Sequence, residues 1–276
     1  MNATRNQRRD AFLNLVDRRP VTMAILNVTP DSFSDGGQFL ARDAAIAHAR
    51  KLVGEGADIL DIGAESTRPG HTPVPADEEW RRLEPVLASL AQEIDAPLSI
   101  DTSKAEVARR ALALGVSVVN DVWGLQSDPA MADVVAEAGA AVVVMHNRDA
   151  VDPELDILAE MMGFFERSLA LAERAGIARS RILIDPGIGF GKTKAQNLAA
   201  MAATPRFRRA FDLPVLIGVS RKRLFGDLLG ARVEDRLIPT IAANLACLAR
   251  GASVFRVHDV AEHVAAFKVF HAVSEA

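Results

Sequence analysis

Eight short apolar runs recur along the chain, each closing on polar residues and followed by a stretch of helical periodicity. They cover residues 21–27, 57–63, 97–101, 116–121, 140–146, 181–184, 214–220 and 252–259. The runs are continuous rather than alternating, as expected of parallel strands buried on both faces. Gly56, Gly115, Gly139, Gly176 and Gly251 each stand between a helical stretch and the next run, where a left-handed helix terminus is expected. Eight such repeats in 276 residues predict a (β/α)8 TIM barrel, with residues 1–276 forming one domain and the barrel proper over about 20–272. An open doubly wound sheet normally has fewer strands and a glycine or charge signature after the first, whereas here nearly every strand ends in a polar residue.

In a barrel those ends converge on one face, so Asn27, Asp61, Asp101, Asn120, Asp185, Lys222, Arg256 and His258 are expected to share a cavity. The segment RILIDPGIGFGKT at 181–193 delivers Asp185 at a strand mouth, followed by Gly187, Gly189 and Gly191, which allow close backbone approach to a ligand. Its spacing is not that of a P-loop, because Pro186 stands where the first glycine belongs, nor that of a dinucleotide loop. Lys192 and the N–H groups opening the next helix are expected to receive an anion. Carboxylates beside an amide suit a planar heterocycle with adjacent N–H donors, since each carboxylate accepts two donors side by side. Arg256, His258, Arg68 and the hydroxyls of Ser66 and Thr67 suit phosphate oxygens. Asp61 reads equally as a salt-bridge residue of the barrel mouth, and His48, His71, His263 and His271 read as surface residues. Helix starts are expected at a Ser103/Glu106 capping box, at Asp128 and at Asp152.

The balance of 32 Lys plus Arg against 36 Asp plus Glu, a formal charge of -4, gives no general argument for nucleic-acid binding, and no nucleic-acid partner is expected. The single cysteine, Cys247, lies in an apolar helical pattern and reads as a packed thiol; no disulfide framework is possible. No HExxH motif, histidine cluster or cysteine pair suggests zinc. The first twenty residues are too polar for a secretory signal and no apolar run is long enough to cross a membrane, so a cytoplasmic enzyme is expected.

ILNVTPDSFSDGG at 25–37, DIGAESTRPG at 61–70, IDTS at 100–103, ND at 120–121, MH at 145–146, DPGIGFGKT at 185–193, GVSRK at 218–222 and RVHDV at 256–260 together resemble the dihydropteroate synthase family, in its order and spacing. The resemblance implies a homodimeric TIM barrel that condenses 6-hydroxymethyl-7,8-dihydropterin diphosphate with 4-aminobenzoate, uses Mg2+ and is a sulfonamide target. It places the pterin against Asp101, Asn120, Val122, Met145, Asp185, Phe190, Gly218 and Lys222. The diphosphate goes to Asn27, Arg68, Arg256 and His258, with Asn27 at the metal, and the aminobenzoate to Phe33, Thr67, Arg68, Pro69, Phe190, Ser220 and Lys222. Asp101, Asp185, Lys222, Arg256 and His258 are the expected catalytic set. Two loops, roughly 28–39 and 64–74, are expected to cover the amine. A methyltransferase acting on methyltetrahydrofolate and a silent pterin-binding paralogue are the alternatives; the first does not need the SRK and RVHDV segments or the STRPG loop, and the second is expected to have lost one or more of Asn27, Arg256 or the loop residues, which this chain keeps.

Overall fold

In a computed structural model of the chain, residues 4–28, 37–65 and 74–275 are described, with the side chains of all of these except 37–41. A helix, α1 (Arg5–Val16), precedes the first strand, β1 (Val21–Asn27). The repeats then follow as α2 (Gly37–Gly54), β2 (Ile59–Gly63), α3 (Ala76–Glu93), β3 (Leu98–Asp101), α4 (Ala105–Ala113), β4 (Val118–Asp121), α5 (Met131–Ala138) and β5 (Ala141–Met145). The second half adds α6 (Ile157–Ala175), β6 (Ile182–Asp185), α7 (Lys194–Ala202), α8 (Thr204–Phe211), β7 (Leu216–Ile217), α9 (Leu224–Leu229), α10 (Leu237–Leu248), β8 (Val254–Val257) and α11 (Val260–Ser274).

All strand pairs are parallel, in the order β6-β5-β4-β3-β2-β1-β8-β7, and a bridge between Ile184 and Val215 closes the ring. This is the TIM barrel that the repeats predict. Side-chain parity separates two apolar layers, because successive strand residues point to opposite faces. Val21, Met23, Ile59, Val118, Ala141, Val143, Leu183, Leu216 and Val254 form the inner cluster, joined by Phe12 and Val16 of α1. Their neighbours, such as Leu26, Leu60, Ile100, Val142, Ile184 and Phe255, pack outward against the helices. Two residues on from the inner cluster, the same parity delivers Ile25 and then Asn27, Asp61, Asn120, Met145, Asp185, Gly218 and Arg256 toward the C-terminal mouth. The lower barrel is thus an apolar plug and the upper barrel a polar site.

Helix α1, which the polar N-terminal sequence does not announce, closes the opposite end. Its arginines bond to carbonyls at the C-terminal ends of three successive barrel helices or just beyond them. Arg5 donates to Leu112 O at 3.2 Å, Arg8 to Ala91 O at 3.0 Å and Ile94 O at 2.8 Å, and Arg9 to Gly139 O at 2.5 Å. These carbonyls lie at the negative ends of the helix dipoles, where a cation is favoured.

Several helix starts differ from expectation. Glu106 bonds Arg110 along its own helix at 2.7 Å, and Asp128 takes over at the start of α4, accepting from Ala105 N at 2.8 Å and also from Ala130 N at 3.0 Å. Helix α6 begins at Asp156, whose carboxylate accepts from Leu158 N and Ala159 N, four residues beyond the Asp152 expected from sequence. In each case a carboxylate brought close by the fold, or a later one, reaches the free N–H groups better than the residue with the right local spacing. Strand β7 is also shorter than the run at 214–220, because residues 218–220 leave the ladder to enter the site.

Candidate active site

The carboxylate end of the site is a buried ion network. Asp61 and Asp101, 0 % and 6 % exposed, flank Arg256. Its Nε donates to Asp61 Oδ2 at 2.6 Å and its Nη2 to Asp101 Oδ2 at 2.7 Å. Asn120, directly opposite Asp101 in the β3–β4 register, donates its amide to the same Asp61 oxygen at 3.0 Å. Asp61 therefore is the salt-bridge residue that one reading of the sequence made it. Burial pushes the Asp101 carboxyl up to about 7, against the pull of the Arg256 cation. Burial also opposes the Arg256 charge, but Asp61 and Asp101 together hold it above its ordinary value, so it stays cationic. Such a network is a poor stabiliser, since desolvation consumes most of the Coulomb gain; its use lies in fixing charges where a ligand meets them.

Asp101, Asn120, Val122, Met145, Asp185, Phe190, Gly218, Lys222 and Arg256 line one small pocket at the strand ends. All eight residues that the resemblance assigns to the pterin are on its wall, with Arg256 completing it. Asp101 Oδ1 and Asn120 Oδ1 are buried and have no hydrogen-bond partner among the described residues. A buried acceptor left without a donor is costly, so these two atoms identify where a ligand's N–H groups belong. Burial raises the Asp185 carboxyl above the usual carboxylate range, with Lys222 the largest opposing influence, and draws the Lys222 ammonium down to about 8.

The glycine-rich turn after β6 forms one wall. Gly187 has φ +62°, and a Cβ there would come within 1.9 Å of His146 O, so no other residue fits. Gly187 N donates to Asp185 Oδ1 at 2.7 Å, and Gly189 N donates to Asn197 Oδ1 at 2.7 Å. Lys222 Nζ donates to Ile188 O and lies 4.4 Å from the centre of the Phe190 ring. Lys192 does not face an anion. Its ammonium is buried inside the turn, donating to Gly187 O at 2.8 Å and Phe190 O at 3.0 Å, and burial draws it down to about 7. These two carbonyls of the glycine turn, with His146 O at 3.5 Å, surround the ammonium, which the spacing alone did not reveal.

The anion end is more open. Asn27 is exposed at the tip of β1. Ser220 Oγ lies 2.9 Å from His258 Nδ1 and accepts from His258 N at 3.2 Å, joining the turns after β7 and β8. Phe33, Thr67, Arg68 and Pro69 lie outside the described residues, as do Ser66 and His71. Of the other histidines read as surface residues, His48 and His271 are exposed but His263 is fully buried. It bonds Asp259 O, one turn back at the start of its own helix, at 2.6 Å and Asn244 at 3.0 Å, the latter supplied by the packing of α10 on α11. The sequence reading also passed over Asn197, whose role depends on the shape of the preceding turn.

A parallel barrel whose strand ends pair carboxylates and an amide with cations around a small pocket defines a binder of polar heterocycles. Residues 23–258 match the family described as pterin binding enzyme, and the chain belongs to that family. Among curated relatives, it is 40% identical over 255 residues to the dihydropteroate synthase of Clostridium beijerinckii, covering 92% of this chain and 94% of that one. It is 46% identical over 253 residues to a probable bifunctional folylpolyglutamate synthase/dihydropteroate synthase of Haloferax volcanii; this match takes in 90% of the chain but spans only 30% of that longer protein. A crystal structure of dihydropteroate synthase from Clostridium difficile in the presence of pteroic acid superposes with a TM-score of 0.90 at 46% identity, covering 93% of this chain and 97% of that one. Within the pterin-binding enzymes, the chain belongs to the dihydropteroate synthases.

Proposed function

We infer that the protein is a dihydropteroate synthase, joining 6-hydroxymethyl-7,8-dihydropterin diphosphate to 4-aminobenzoate with release of diphosphate, a step of folate biosynthesis. The observation that carries this reading is the pair of unpartnered acceptors, Asp101 Oδ1 and Asn120 Oδ1, in a pocket completed by Asp185 and Lys222. A pterin edge presents adjacent N–H donors to such a wall. Val122, Met145 and Phe190 supply apolar surface for the ring, and Gly218 leaves room beside Asp185.

The chemistry asks for a leaving group that departs and a carbon that tolerates positive charge. Asp101 and Asp185 sit where they stabilise charge spreading into the pterin as the C–O bond breaks. Arg256, fixed by its two carboxylates, and His258, at the adjoining turn, face the diphosphate end. The amine nitrogen then bonds to the exocyclic methylene carbon and loses a proton; Ser220, Phe190 and Lys222 are the described residues assigned to this second substrate. Residues from 28–39 and 64–74 are proposed to exclude water from the cation.

Magnesium would offset charge on the departing diphosphate. The described residues contain no group of three or more His, Cys, Asp or Glu that could hold a metal, so a cage made by the protein is not offered. Asn27, exposed at the barrel mouth, would supply a side-chain oxygen to Mg2+, a hard cation that takes oxygen ligands. Among the described residues no helix is long and apolar enough to cross a membrane. A cytoplasmic location remains part of the proposal. A homodimer through α7, α9 and α10 is supported by an apolar groove lined by Leu198, Leu228, Leu229, Pro239 and Ala243, among others.

The test is a coupled diphosphate-release assay with the pterin diphosphate and Mg2+, with and without 4-aminobenzoate. Rapid release and dihydropteroate formation that depend on the amine are expected; a folded, Mg2+-supplied protein that forms no dihydropteroate would refute the assignment. Slow amine-independent release, giving the hydrolysed pterin alcohol, is the expected mark of a step in which the diphosphate leaves first.

A further inference from the structure

Arg221 lies between two residues of the site, Ser220 and Lys222, and its backbone is left-handed at φ +55°. Outside glycine, that conformation persists only where surrounding contacts impose it, and it concentrates where geometry serves function. The contacts here are unusually complete. Arg221 N donates to Thr240 Oγ1 at 3.1 Å and its carbonyl accepts from Arg236 Nη1 at 3.1 Å. Its guanidinium makes a two-pronged pair with Asp259, Nε to Oδ2 at 2.9 Å and Nη2 to Oδ1.

Asp259 is in turn the residue after His258, and its carbonyl is held by the buried His263, which is held by Asn244. Thr240 and Asn244 are successive turns of α10, and both are fully buried, while Ile238 on the same helix is 77 % exposed. The helix is thus turned with polar side chains inward, the reverse of ordinary amphipathic packing. Its inner polar residues have identifiable work: one holds the turn after β7 and the other, through His263, the turn after β8.

We propose that Arg221 and Asp259 are positioning residues for the condensation: their ion pair, anchored on Thr240 and Asn244, locks the turn carrying Ser220 and Lys222 to the turn carrying His258. The inference rests on the synthase reading above. Neither side chain lines the pocket; each acts through its neighbours, setting the Ser220–His258 contact and the approach of Lys222 to Phe190. The planar fork of arginine matches a carboxylate at two points, which a lysine cannot reproduce.

The experiment measures kcat, KM for each substrate and thermal unfolding for the parent, R221G, R221K, D259N and the R221G/D259N double variant. Glycine adopts φ +55° without strain, so R221G removes the clamp while relieving the backbone. R221G is expected to unfold near the parent temperature yet lose roughly tenfold or more in kcat/KM for 4-aminobenzoate, because small misplacements of reacting groups are expensive. R221K should recover part of the loss, and the double variant should be no worse than R221G, since both substitutions break one interaction. Parental kinetics in R221G, or losses that multiply in the double variant, overturn the proposal. A parent without synthase activity would instead overturn the reading on which the clamp rests, a distinguishable result.

Discussion

Two carboxylates of the pocket lend themselves to residue-scale tests. Asp185 Oδ1 accepts from Gly187 N, so the carboxylate both aims at the pocket and fixes the turn beside it. D185N keeps the shape but removes a charged acceptor, and is expected to lower turnover by roughly 10²-fold while the protein stays folded. Near-parental steady-state kinetics in a folded D185N variant would end that role. Asp101 offers a pH test. Its folded value is raised to about 7, so between the ordinary carboxylate value and 7 the folded state binds more protons than the unfolded one. Stability contributed by this group is therefore greatest at low pH and is lost as pH rises through that window. D101N, which cannot ionise, should gain in melting temperature relative to the parent on going from about pH 5 to about pH 8, both ligand-free. A difference between the two proteins that does not change with pH would contradict the raised value.

At the scale of elements, α1 is the part whose removal says most. Phe12 is fully buried in the inner cluster, and Arg8, 3 % exposed, bonds two carbonyls at the end of α3. F12A opens a cavity in the barrel floor and should cost about 3–5 kcal/mol. R8A strands its acceptors and should cost about 1–3 kcal/mol. Urea unfolding of both variants measures the order; an R8A variant as stable as the parent would show that water replaces the guanidinium without cost. Neither change should alter the affinity for substrates, because the floor and the mouth are separated by the apolar plug. The opposite case is α10, whose buried Thr240 and Asn244 serve the site and whose outer residues Pro239, Ala242, Ala243 and Ala246 line the groove.

On the scale of the whole molecule, that groove is an apolar surface left exposed among the described residues. Leu228 and Leu229 are 46 % and 61 % exposed and sit on its wall. Exposed apolar residues gathered around one depression mark an association surface more often than chance scatter does. A second copy of the chain is the proposed occupant. Sedimentation at micromolar concentration should find a dimer in the parent and a monomer in L229E, since a carboxylate would be desolvated at the contact. A monomeric parent under those conditions would remove the homodimer from the account.

The sequence by itself determined the architecture. Continuous apolar runs of barrel length, spaced by helices, leave few other folds, and the polar residue closing each run already lay on the inward parity: Asp101, Asn120, Asp185 and Arg256 needed only the ring to meet. The resemblance of short segments supplied the pterin wall, and the structure gathers those residues around one pocket. Only the tertiary structure decided what depends on distance rather than spacing. Lys192 turned out to be the core of a turn because the folded loop aims the Gly187 and Phe190 carbonyls at it, and His263 was buried because α10 presents Asn244 to it. Asp128 caps a helix twenty-three residues upstream, and the pairing of Arg256 with two carboxylates joins strands at opposite ends of the chain. Local sequence carries period and propensity; the partners of a buried charge are chosen by the closure of the barrel, which no local pattern encodes.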